Sequence, residues 1–195
     1  MKSELLNPEF FDWMSVKEDA DESWRGPGPK LSNLRPWVDT LVSEGRHTLV
    51  AATYAAARAA CDYWEPWLAA QHQMTIDGYT PTKQLAAVER WLSDPTDSNK
   101  ATAYDTVDDT KQLSWICEEF RPVWFAEPGW WAVESSENCV LSLTGDPASA
   151  GSHGSYAALS IACAINALRK RDGDDLSVAL STVLTAILRQ FDEAE

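Results

Sequence analysis

The chain lacks nearly every short signature that announces an enzyme. It has no GxSxG nucleophile turn and no two histidines spaced around a glutamate on one helical face. Its three histidines, His47, His72 and His153, lie far apart and read as surface or loop residues. The four cysteines, Cys61, Cys117, Cys139 and Cys163, are widely separated, and none forms a CxxC pair of the kind used by zinc or redox sites. Four reduced core thiols are the expected account, with a disulfide between cysteines that meet in space as the alternative. No run of about eighteen apolar residues is present, so no membrane span is expected. The N-terminus, MKSELLNPEFFDWM, has acids inside its apolar stretch and no small-residue cleavage site, which predicts a cytoplasmic protein without a secretory signal. Basic residues are also scarce: 16 Lys and Arg face 30 Asp and Glu, a net charge of −14. A surface this negative repels nucleic acid and anionic lipid and speeds encounter with a basic protein partner.

What is present is helical pattern. A chain of 195 residues with 45% hydrophobic residues and ten tryptophans can bury one core without metal or disulfide. Residues 1–35 read as an irregular acidic N-terminal arm. Seven acids precede Trp24, and RGPGPK breaks regular structure beyond it. Leu5, Phe10, Phe11, Trp13 and Met14 give the arm an apolar side over about 4–14, which either docks as a short helix or orders only against a partner. Residues 36–195 read as an all-α, single-domain bundle of about seven helices.

Pro36 opens the first helix of that bundle, and Gly45 closes it. Val50, Tyr54, Ala57, Cys61, Trp64 and Leu68 then recur at steps of four and three, a narrow apolar seam of coiled-coil period. Pro66 is expected to kink this helix. Thr80-Pro81 starts the next, with Leu85, Val88, Trp91 and Leu92 inward and an end near Asp94-Pro95. Asp97 or Ser98 caps a fourth, which exposes Asp105, Asp108 and Asp109. A helix over about 129–143 uses Trp130, Val133, Glu137, Val140 and Leu141 as one face; a strand at Val140–Leu143 is the alternative, without a partner strand. GDPASAGSHGS (145–155) is the clearest loop. YAALSIACAINAL reads as a central buried helix that Gly173 stops, and Asp174 or Asp175 caps the last helix, where Leu176, Leu180, Val183, Leu184, Ile187, Leu188 and Phe191 repeat most strongly.

Candidate chemistry is thin. Gly145, Gly151 and Gly154 lack the lysine and spacing of a phosphate cradle and read as a turn, so no cofactor is expected. Glu134 with Glu137, and Glu118 with Glu119, are carboxylate pairs, but without a cleft between them they read as solvated helix faces. Trp64, Trp91 and Trp115 sit on apolar helix sides and read as core. Trp130-Trp131 differs, because consecutive helical residues point about 100° apart and one of the two falls outside any single core position. That one is either an interface anchor or a second contact within the bundle.

The stretch ARAACDYWEPWLAAQ, followed by TPTKQLAAVERWLSDPT, resembles the alanine-rich helical immunity proteins of bacterial polymorphic-toxin systems. The resemblance lies within residues 55–96 and rests on Ala60, Cys61, Pro81, Ala87, Glu89 and Trp91. It implies a small helical protein that neutralises a toxin by contact, without catalysis or metal. The expected partner-binding residues are Asp105, Asp108 and Asp109 with Trp130 and Trp131, meeting a basic protein. A structural or adaptor subunit of a larger bacterial complex is the second reading. An enzyme built around Cys117 and a spatially close histidine is the third.

Overall fold

The computed structural model describes residues 31–70, 81–107, 128–144, 152–171 and 175–193, and within them the protein is all-α, with seven helices and no strand. These are α1 (Leu31–Ser43), α2 (Arg46–Ala70), α3 (Pro81–Ser93), α4 (97–107), α5 (Pro128–Thr144), α6 (Ser152–Arg171) and α7 (Leu176–Asp192). No helix among the described residues is long and apolar enough to cross a membrane.

Helix α1 begins five residues before Pro36, so the boundary drawn at 35 falls inside it. The reason is Leu34. With Trp37, Val38 and Leu41 it forms a buried stripe at i, i+3, i+4 and i+7, and the core holds the extra turn in place. Pro36 then removes one backbone donor near the start of the helix. Gly45 ends α1 at φ +107°, a conformation that side chains resist, and its carbonyl accepts from Leu49 to open α2.

The narrow seam expected of α2 is a wider contact. Every residue from Leu49 to Ala57 is buried, because alanines at 51, 52, 55, 56 and 57 let neighbours approach from all sides. Helix α2 packs against α1, α3, α5, α6 and α7, and it continues through Pro66 to Ala70. Its direction relative to α5 is antiparallel: Thr53 meets Ser142, while Cys61, two turns on, meets Ala132. The second central helix is α6, buried continuously from Ser160 to Arg169. It starts at Ser152, so the last residues of the expected loop are helix and Gly154 is buried in the first turn. Residues 140–143 are helical rather than a strand.

Small hydroxyl residues let α5 lie close against α6. Ser135 donates to the Ser160 carbonyl and Ser160 donates to the Ser135 carbonyl, both at 2.8 Å. Each hydroxyl is buried and satisfied, so the crossing keeps its polar atoms at no net desolvation loss. Trp64 Nε1 donates to the Ala167 carbonyl at 3.0 Å and ties α2 to α6. Beyond the C-terminal end of α6, Asp175 caps α7, its Oδ1 accepting from the Ser177 and Val178 amides at 2.9 and 3.3 Å. The buried residues of α7, Leu180, Val183, Leu184, Ile187 and Phe191, keep the helical period read from sequence.

The packing of α2 predicts a sharp contrast between two alanines. Ala56→Leu, at a fully buried position, forces neighbouring helices apart and costs about 1–3 kcal/mol in urea unfolding. Ala86→Leu, on the exposed side of α3, changes stability by less than about 0.5 kcal/mol.

Candidate functional site

The chain's strongest chemical asset is negative charge, and its best-defined exposed acidic surface among the described residues runs from the end of α3 along α4. Trp91 and Val88 seat α3 in the core, and Pro95 follows its last turn. The turn is pinned by Asn99, whose Nδ2 donates to the Asp94 carbonyl at 2.8 Å and to Asp94 Oδ2 at 3.0 Å. Thr96, rather than Asp97 or Ser98, caps α4: its Oγ1 accepts from the Asn99 amide at 3.3 Å. Asp97 thereby enters the first turn, where the helix dipole favours a carboxylate. Ala103 and Val107 anchor α4 to the core, leaving Asp97, Ala101, Tyr104 and Asp105 exposed on the other side. Tyr104 is 43% exposed, next to Asp105 in the chain and one turn from Lys100. Asp105 is therefore a surface residue as expected from sequence, whereas Asp108 and Asp109 lie outside the described residues.

Trp131 is a correction. It is 6% exposed and belongs to the core, so it packs rather than anchors a partner. The helical step between neighbours explains why only one of two adjacent tryptophans needs to face the core; the Trp130 side chain lies outside the described residues. His47 also has a structural task. Its Nε2 lies 3.0 Å from the Leu92 carbonyl and its ring 5.8 Å from that of Trp91, which joins the start of α2 to the end of α3. The side chains of His72 and His153 fall outside the described residues, as does Cys117.

The three described cysteines, Cys61, Cys139 and Cys163, are buried thiols outside any disulfide. Cys61 donates to the Ala132 carbonyl at 3.4 Å, and Cys139 approaches Thr53 Oγ1 at 3.8 Å. Burial is the main reason both thiols resist ionisation: Cys61 is pushed far above the ordinary range, and Cys139 is pushed up to about 12. A thiol held neutral is a poor nucleophile and metal ligand. No three His, Cys, Asp or Glu side chains come together as a metal-binding group among the described residues.

The carboxylates of α5 do not form the solvated face expected of them. Glu134 and Glu137 are each half-buried, and no residue from Trp131 to Thr144 is exposed. Burial, with the charge of Glu134 adding to it, raises the Glu137 carboxyl to about 7. Next to it, Ser136 Oγ and Gln84 Oε1 bond at 2.7 Å between α5 and α3. Gln84 is wholly buried, and its Nε2 has no hydrogen-bond partner among the described residues. The sequence reading missed Gln84, although its spacing carries the signal: Pro81, Gln84, Leu85, Val88 and Trp91 form one helical stripe, all buried.

The burial of the thiols sets an expectation for labelling. In native protein, an aromatic disulfide reagent leaves Cys61, Cys139 and Cys163 unmodified, and all three react once denaturant unfolds the chain. Rapid native labelling at any of these three, read by peptide mass, contradicts the packing described above.

No protein-family model, no curated protein and no solved structure matches this chain.

Proposed function

We propose that this protein is a non-enzymatic acidic binding module that neutralises a basic toxin or effector in the cytoplasm by direct contact. The observation that carries the reading is α4 and its preceding turn, which expose Asp94, Asp97, Tyr104 and Asp105 on a chain of net charge −14. Long-range attraction accelerates encounter with a cationic surface, and an exposed tyrosine supplies contact area at small entropic cost. The alanine-rich pair α2–α3, which resembles that of helical immunity proteins, supports a neutralising role for the contact. In this reading the bundle supplies rigidity and the acidic rim supplies recognition.

The test begins with capture from the native host at low salt, followed by kinetics on the basic protein recovered. Reversing Asp105, Asp108 and Asp109 to lysine slows association by about tenfold or more at low ionic strength, and the difference shrinks as salt screens the charges. Tyr104→Ala speeds dissociation with little effect on the association rate. Unchanged rates for both variants, or equal capture of acidic and basic proteins, reject the reading.

A further inference from the structure

We propose that the outward face of α7 is a self-association surface, on which a second copy of this chain lays its own α7 antiparallel across a two-fold axis near Thr182. The first sign is composition. Residues 176–188 contain no charged side chain, in a sequence where 24% of residues are charged. A helix side that meets water ordinarily carries such charge. Here Val178, Ser181 and Thr185 are exposed, and Thr182 and Leu188 are half-buried. The threonine hydroxyls turn back to their own helix: Thr182 donates to the Val178 carbonyl at 2.9 Å and Thr185 to the Ser181 carbonyl at 2.7 Å. Their donors are taken, and their methyl groups with Val178 make a low, uncharged surface that another helix can approach closely.

The ends of this surface select its occupant. Asp175, Val178, Thr182, Thr185 and Arg189 follow one another at steps of three and four, a stripe with an acid at its start and a base at its end. Asp175 and Arg189 are both exposed, and Arg189 forms no ion pair among the described residues. Thr182 is the midpoint of the stripe. A two-fold axis there sets Asp175 of each copy against Arg189 of the other, and Val178 of each near Thr185 of the other. Asp192 and Glu193 lie past Arg189, beyond the length that the two helices share.

Charge also argues for a second copy over a basic protein. A cationic partner is drawn to acids, and residues 176–188 offer none. A copy of net charge −14 is repelled by most of an acidic surface, which leaves close approach to a face without charge. Exposed ion pairs set direction more than strength, and an overlap of about 21 Å is small for an interface. The dimer is therefore weak and concentration-dependent. It shares no residue with the acidic surface of α4, and it stands or falls apart from the neutralising role.

Sedimentation of the full chain at about 0.15 M salt, from about 1 μM to about 1 mM, tests the proposal. Wild type passes from monomer toward dimer within that range. Thr182→Glu places two like charges at the axis and raises the dimer dissociation constant at least about tenfold. Arg189→Glu weakens the dimer by facing Asp175 of the other copy, and adding Asp175→Asn, which still caps α7, restores part of the loss. Circular dichroism of each variant keeps the wild-type helical signal. Independently, Thr182→Cys joins two copies through a disulfide under a mild oxidant, whereas Ser98→Cys, exposed at the start of α4, stays at the wild-type level of cross-linking. A wild type that remains monomeric to about 1 mM overturns the proposal. So does a dimer that Thr182→Glu leaves unchanged, or one that Thr182→Cys fails to cross-link.

Discussion

Close approach of helix backbones around α2 is the constraint on which the rest of the structure depends. From Leu49 to Ala57 this helix has no side that reaches solvent, which is feasible because most of its side chains there are methyl groups. Small side chains contribute little apolar area each, so the stabilisation comes from the number of neighbours and from dense packing. The same economy of size appears at the Ser135–Ser160 crossing, where two hydroxyls replace bulk and satisfy each other's helix. Larger residues then close the outer layer: Leu34, Trp37 and Leu41 from α1, Leu85 and Trp91 from α3, and the Leu180–Phe191 stripe of α7.

This arrangement separates two tasks. The interior is held by α2, α5 and α6; α5 exposes no residue from Trp131 to Thr144, and α2 turns its Arg58–Asp62 pair outward. The acids of the described helices lie at the rim, on turns and outward faces, where they are free of packing duties. Glu134 and Glu137 differ from those acids in sitting half-buried on a central helix, where burial raises the Glu137 carboxyl to about 7.

Helices of strong period were legible in the sequence. The α7 stripe, the apolar run of α6, the Pro81 start of α3 and the Gly45 stop of α1 all follow from local rules of spacing, capping and backbone freedom. What the chain concealed depends on neighbours distant in sequence. Leu34 extends α1 past Pro36 because a core elsewhere receives it. Ala51 and Ala55 lie off the predicted seam of α2 yet are buried, since five helices converge on it. Thr96 caps α4 while Asp97 and Ser98 were equally plausible by residue type. The candidate site residues differ in the same way: Asp105 lies opposite the buried Ala103 and Val107, which period alone indicates, whereas the burial of Trp131 depends on the bundle around it.

Hydrogen exchange of the protein alone and with any basic protein it captures from the host tests the division between packed interior and acidic rim most directly. The account predicts that amides of 49–57 and 160–169 exchange slowest in both states, through global unfolding, and that partner-induced protection centres on 97–107. Fast exchange across 49–57 in the free protein, or partner protection centred on α2 or α6 with 97–107 unchanged, would contradict it.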